Sequence, residues 1–326
     1  MNPRQLICLT ALLLSACSDD HKDGVSSGSS DRPGKHSDRT ASSTAPARKE
    51  AGRMPGSFLR SLEPELSVAE RISHVRSLPG ELSEIQLDEL FRLLSGPRPG
   101  EISQSEWLVV GNEILEVLRH RDLRGLESRF TNLAADPAVD GVMRDYALQH
   151  YLRLQQSRLE ALSETDGNDE AESLVAALEA DTRRILATEN RGTQTILGTG
   201  FMGLAALCRQ LDEPALTNAV TGVVRDLALP LIEHPGEDAL TANVTSAIQI
   251  SSQLKLPEAE QPIRQLAFGD DTDPSLRLNS VYGLRYYSNP LDVEPLRKLA
   301  QSRKPIHFVA QETLAVIEQQ NSHSTE

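Results

Sequence analysis

The body of this chain, residues 57–326, predicts an all-α fold, and three observations point that way. Its apolar positions recur at spacings of three and four rather than two, the period of a helix face. Good helix formers dominate it. Turn signals at Ser95-Gly96-Pro97, Asp136-Pro137, Asp166-Gly167-Asn168, His234-Pro235-Gly236, Gly269-Asp270-Asp271 and Asn289-Pro290 divide it into paired helical segments rather than strands.

Taken in order, the segments share a pattern. A large apolar residue is followed four positions later by a small one and eight later by another large one. Trp107-Gly111-Leu115 comes first, then Met143-Ala147-Tyr151, Ile196-Gly200-Leu204, Leu276-Ser280-Leu284 and Ile306-Ala310-Leu314, with Leu240-Val244-Ile248 a looser member. Positions i, i+4 and i+8 lie on one helix stripe. The small residue lets a neighbouring helix approach, and the large ones fill each side. Successive starts lie 36, 53, 44, 36 and 30 residues apart. In the last pair, a first helix over Val293 to Gln301 precedes the triplet helix.

Two of these segments carry more. Asp273-Pro274-Ser275-Leu276-Arg277-Leu278-Asn279-Ser280-Val281-Tyr282-Gly283-Leu284 resembles the second helix of a HEAT repeat. Asp140-Gly141-Val142-Met143-Arg144-Asp145-Tyr146-Ala147-Leu148 resembles it too, with Gly where the family prefers Pro. Each opens on an Asp suited to an N-cap, and Pro is well tolerated in a first helical turn. The resemblance spans residues 84–318 and implies an α-solenoid of about six HEAT-like helix pairs, stacked so that they bury one core and leave an extended face. It also implies that Arg144 and Arg277 take the place of the family's Arg, which often pairs with an Asp of the adjacent repeat. The 53-residue gap and the loop from Asp166 to Glu170 depart from a regular array.

Ahead of the body stands an export signal. Arg4 supplies a positive start, Leu6 to Leu14 an apolar run, and Ser15-Ala16 small residues before Cys17. The apolar run is far shorter than the roughly 20 residues that span a bilayer. Leu14-Ser15-Ala16-Cys17, followed at once by polar residues, resembles the lipobox of a bacterial lipoprotein. The resemblance implies that residues 1–16 are removed, that Cys17 carries a diacylglycerol and a further acyl chain, and that the protein is held on the bilayer of the cell envelope. Two or more chains hold a protein stably where one does not. Ser18 stands where some such proteins carry an inner-membrane retention Asp, which favours the outer membrane.

Residues 17–56 then read as the lipidated cysteine and a disordered tether. The segment has almost no large apolar residue and cannot bury enough surface to offset its ordering entropy. A flexible chain of this length spans about 35 Å end to end and stretches to roughly 130 Å. Residues 18–56 carry six acids against seven Lys or Arg, and the body 41 acids against 25. So acidic a body disfavours nucleic acid and direct adhesion to anionic lipid.

Chemistry is sparse. Cys8 leaves with the signal and Cys17 is lipidated, so Cys208 stands alone, with no intramolecular disulfide open to it, and reads as a small buried hydrophobe. His74, His120, His150, His234 and His307 have no His or Cys at ligand spacing, and no metal is expected. No G-x-S-x-G is present, and no carboxylate pair stands out. Gly198, Gly200 and Gly203 match the dinucleotide fingerprint, with Asp226 near the ribose-contact distance. The fingerprint needs a strand before it and a βαβ unit around it, whereas a helical pattern over Glu170 to Glu189 precedes it and one helix over Leu211 to Leu231 is expected after it, and the triplet accounts for Gly200. An exported oxidoreductase is the alternative it leaves, and no cofactor is expected. Tyr282, Tyr286 and Tyr287 with Arg277 and Arg285 form the one aromatic and basic cluster, a composition enriched at protein interfaces. The sequence thus points away from an enzyme and toward a tethered scaffold that binds another envelope protein. A purely architectural lipoprotein is the further alternative.

Overall fold

A computed structural model describes residues 54–121, 123–163, 168–187, 195–211, 213–236, 240–302 and 305–323. Cys17, the signal and the tether through residue 53 lie outside the described residues, as do Asp166 and Gly167.

Every regular element among the described residues is helical. The chain runs α1 (Gly56–Ser61), α2 (Val68–Arg76), α3 (Glu84–Ser95), α4 (Gln104–Arg119), α5 (Leu126–Ala135), α6 (Gly141–Ser163), α7 (Asn168–Ile185) and α8 (Ile196–Leu211). It continues through α9 (Pro214–Leu227), α10 (Leu229–Glu233), α11 (Thr241–Gln253), α12 (Pro257–Phe268) and α13 (Pro274–Gly283). Short 3-10 turns at Leu284–Tyr286 and Pro290–Asp292 lead to α14 (Val293–Ala300) and α15 (His307–His323).

The helix starts are chemically specified. Ser67, Ser83 and Ser103 open α2, α3 and α4 with complete capping boxes, in which Glu70, Gln86 and Glu106 bond back to the serine backbone. Each box satisfies two otherwise orphaned N–H groups. Asp140 Oδ1 accepts from Val142 and Met143 N–H, at 2.9 and 3.3 Å. Asp273 Oδ1 does the same for Ser275 and Leu276, at 2.9 and 3.2 Å. Both aspartates therefore cap as the sequence indicates.

Packing runs between helices near each other in the chain and sorts them into two rows. One row is α2, α4, α6, α8, α11, α13 and α15, each packed on the next. The other is α3, α5, α7, α9, α10 and α12. Contacts such as α5 with α6, α8 with α9, α12 with α13 and α14 with α15 join helices consecutive in the chain. Every apolar triplet belongs to the first row. Trp107, Leu115, Met143, Tyr151, Ile196, Leu204, Ile248 and Leu284 are buried, while Leu240 and Leu314 are only half-buried.

The small central residues mark where helices touch. A Cβ on Gly111 would fall 2.2 Å from Met143 Cε of α6, and one on Gly200 would fall 2.8 Å from Leu186 Cδ1. The long spacing from Met143 to Ile196 arises because α6 runs 23 residues and α7 runs 18. Asn168 to Glu170, read from sequence as loop, belong to α7.

Arg144 and Arg277 each bond to a backbone carbonyl at the end of the preceding helix. Arg144 Nε donates to Ala134 O at 2.8 Å, and Arg277 Nε to Ala267 O at 3.2 Å. Arg71 makes the same bond from Nη1 to Ser61 O at 2.7 Å. In all three cases the arginine is the fourth residue of its helix and the acceptor lies ten residues earlier, at the end of the preceding helix. Carbonyls there lack an intrahelical donor and carry the negative pole of the helix dipole, so a guanidinium answers both.

One helical reading needs correction. Residues 211 to 231 do not form one helix. Leu211 ends α8, and a turn at Ala228 separates α9 from α10. Pro230 cannot donate to the carbonyl four residues earlier, and its ring crowds that turn. Pro214–Glu233 is long and apolar enough to cross a membrane. Its Leu216, Val220, Val223, Val224 and Ile232 are buried in the body.

Candidate functional site

The aromatic and basic cluster forms where α13 tightens into its 3-10 turn. Gly283 permits this approach: a Cβ there would lie 2.5 Å from Ser252 Oγ on α11. Leu284 is buried beside it and anchors the turn. The backbone then separates the cluster into two parts. Tyr287 points inward and donates its hydroxyl to Ser251 O at 3.2 Å and Leu256 O at 3.1 Å. Burial pushes its phenol far up. Arg277 is engaged with the end of α12 as described. These two serve packing, and the surface-facing part is Tyr282, Arg285 and Tyr286.

That part is ordered by ring contacts. Arg285 Cζ lies 3.5 Å from the centre of the Tyr282 ring, a cation–π stack. The Tyr282 and Tyr286 rings meet edge to face at 6.4 Å. Tyr282 is 37% exposed. Burial and the neighbouring Tyr282 push the Tyr286 phenol up, opposed by Arg285 and Arg209. The nearest carboxylate oxygen to Arg285 Nη2 is Glu312 Oε2 of α15, at 3.9 Å.

A second cluster escaped the sequence reading. Glu116 of α4 accepts from Arg119 at 2.7 Å and meets His120 at 2.9 Å. From α6, His150 Nδ1 lies 3.2 Å away and Arg153 Nη1 lies 3.9 Å away. His150 Nε2 meets Asn112 Oδ1 at 3.0 Å, and its ring stacks on Phe130 at 6.2 Å. The close approach of His150, reinforced by Arg119 and His120, holds the Glu116 carboxyl well below its usual range against its own burial. Burial pulls His150 down, and Glu116 opposes that. Four nitrogen groups from α4 and α6 stand around Glu116, whose side chain is 28% exposed, and the cluster joins the two helices as a clamp. The pairing of Glu116 with His120 was legible as an i, i+4 spacing. His150 came from a different helix and left no such signal.

The dinucleotide fingerprint lies inside a helix. Gly198, Gly200 and Gly203 all belong to α8 and face three different neighbours: Asn243 of α11, Leu186 and Leu152 of α6. The start of α8, where a pyrophosphate would lie, is taken by the protein itself. Gly198 N–H donates to Asn243 Oδ1 at 3.0 Å, and Thr195 donates to the buried Asp145 carboxylate. Burial nevertheless raises the Asp145 carboxyl. Asp226 pairs with Arg183 at 2.6 Å, on α9 and α7. The three glycines are therefore helix-packing residues.

Two further features complete the surface. An open groove of about 440 Å³ lies between the α3–α4 loop and the starts of α4 and α6, with Trp107, Met143, Pro97, Arg98 and Asp140 on its walls. Cys208 is half-buried, and burial pushes its thiol up to about 11. Among the described residues no group of three His, Cys, Asp or Glu is arranged to hold a metal ion. No protein-family model matches the chain, and no curated protein or solved structure matches it.

Proposed function

We propose that the protein is a lipid-anchored, extracytoplasmic binding scaffold. Cys17 holds it on the envelope membrane, residues 18–56 give it reach, and an α-solenoid body of HEAT-like pairs presents a surface to another envelope protein. The observation that supports this reading is the two-row packing, in which the helices bearing the apolar triplet lie side by side. Stacked units of that kind contact only their neighbours and expose a continuous face suited to an extended partner. The exposed Tyr282, with the partly buried Arg285 and Tyr286 beside it, adds the residue types that dominate binding energy at interfaces.

Two measurements test it. Cys17→Ser is expected to abolish incorporation of labelled palmitate and to release the protein from the membrane fraction, and persistent labelling would refute the anchor. Crosslinking in the native cell is expected to capture a reproducible partner that a Tyr282→Ala, Tyr286→Ala chain captures poorly. A chain that crosslinks to nothing but itself and lipid would refute the binding role and favour a purely architectural one.

A further inference from the structure

The groove between the α3–α4 loop and the starts of α4 and α6 combines apolar walls with unspent donors. Leu94, Pro97, Trp107, Leu108 and Met143 line it, and its volume of about 440 Å³ is in the range of ligand-binding clefts. Trp107 is only 3% exposed. Its indole N–H has no hydrogen-bond partner among the described residues, yet it is not sealed away like the partnerless groups inside the body. What Trp107 leaves accessible at the groove therefore includes an unused donor. An indole N–H withdrawn from water favours an acceptor. Arg98 also lines the groove, exposed and without an ion pair among the described residues. By contrast, Arg92, Arg119 and Arg129 of α3, α4 and α5 each hold a carboxylate.

We infer that this groove is a docking site for an uncharged, proline-rich segment of a partner protein, bound in extended form. The inference rests on the binding-scaffold reading and names what the scaffold takes. Side chains at the groove offer donors and hold back acceptors. Trp107 and Arg98 are unspent, whereas Asp140 already accepts from Val142, Met143 and Gln104. A polyproline segment is the complementary chain, because each proline presents a carbonyl and has no N–H to satisfy. Its rings suit walls that carry an aromatic side chain, and its preformed backbone loses little freedom on docking. Charge disfavours the alternatives. The starts of α4 and α6 already carry Glu106 and Asp140, which occupy the positive poles of those helices. The body as a whole holds 41 acids against 25 bases, so an incoming anion is repelled. A cationic segment would face Arg98. A neutral segment meets neither opposition.

Trp107 is the only tryptophan of the chain, so its emission reports on the groove directly. Titrating the full chain, purified in detergent, with decaproline is expected to shift that emission saturably. A Gly-Ser repeat of the same length, neutral but rich in N–H groups, is expected to bind at least about tenfold more weakly. Anisotropy of labelled decaproline serves the variants. Trp107→Phe keeps a ring and removes the donor, and is expected to bind about tenfold more weakly. Arg98 bonds to nothing among the described residues, so Arg98→Gln is expected to melt like the parent by circular dichroism and to bind about threefold more weakly. Where Trp107→Phe lowers the melting temperature, Arg98→Gln decides alone. Equal binding of the two peptides, or decaproline binding that neither substitution weakens, overturns the inference. An emission shift from sodium octanoate at lower concentration than decaproline reassigns the groove to an acyl chain, and a shift on diluting the chain alone reassigns it to a second copy; either result overturns it. If decaproline fails to bind while cellular crosslinks still depend on Tyr282 and Tyr286, the inference falls and the scaffold reading stands. If the crosslinks fail as well, both fall.

Discussion

Two charged corners on the same row of helices behave in opposite ways. Between α4 and α6, Glu116 is surrounded by Arg119, His120, His150 and Arg153. At the end of α13, Arg285 has an aromatic floor, and its nearest carboxylate oxygen, Glu312 Oε2, stands 3.9 Å away. The first corner closes on itself and joins two helices. At the second, the guanidinium stacks on the Tyr282 ring, and its Nε and Nη2 are buried without a hydrogen-bond partner among the described residues. The two corners differ in what surrounds the charge: nitrogen groups from two helices at Glu116, and an aromatic ring at Arg285.

Stability measurements are the sharpest way to break this contrast. Glu116→Ala is expected to cost about 2–4 kcal/mol in urea unfolding, because it leaves two arginines and a buried histidine facing one another without their anion. Arg285→Met is expected to change stability by no more than about 0.5 kcal/mol, since no bond is lost and the methionine still covers Tyr282. Comparable losses in both variants would erase the distinction. Arg277→Met is expected to fall between them, at about 1–2 kcal/mol, through the lost bond to Ala267 O.

Acidification sharpens the same point. Burial puts the folded pKa of His150 below its ordinary 6.5. Below that value the unfolded chain binds more protons than the folded one, so the stabilising contribution is present above pH 6.5 and is lost as pH falls. Glu116, held below its ordinary 4.5, adds a second loss under that value. Asp145 works the other way, since burial raises its carboxyl and favours the folded state as pH falls. Melting temperature is therefore expected to decline between pH 7 and 5, and His150→Gln to flatten that decline. An unchanged slope in His150→Gln would remove the histidine from the clamp. The smallest effect concerns Cys208. With its thiol pushed up to about 11, it is expected to react with a thiol reagent at pH 7.5 only in step with unfolding. Prompt labelling of the native protein would show a reactive site instead.

Much of the local structure was legible in the chain. The Asp140 and Asp273 caps, the α14 helix and the burial of most triplet residues followed from spacing and residue type. The serine capping boxes at Ser67, Ser83 and Ser103 were equally readable, because each is completed within four residues. The candidate site was legible only in part. Tyr282, Tyr286, Tyr287 and Arg285 stand together in sequence, but Tyr287 bonds inward to α11 and the loop after it, while Tyr282 is left exposed. Arg277 belongs with Arg71 and Arg144, whose common acceptor ten residues back is a backbone carbonyl and so has no residue type to search for. The glycines of the dinucleotide fingerprint read equally well as a phosphate loop or a helix contact, and only the neighbouring Asn243, Leu186 and Leu152 distinguish the two.

What the sequence determined by itself was the helical class, where most helices start and stop, and which stripe of each is buried. Those features depend on backbone hydrogen bonds and side-chain spacing within one or two turns. Tertiary structure alone decided which helices pair, that Glu116 meets His150, and that Arg285 stands off from Glu312. Such contacts join residues about thirty positions apart, and their distances depend on how one helix is rotated and shifted against the next. No local pattern encodes that rotation. It is fixed by how close Gly111, Gly200 and Gly283 allow neighbouring side chains to come.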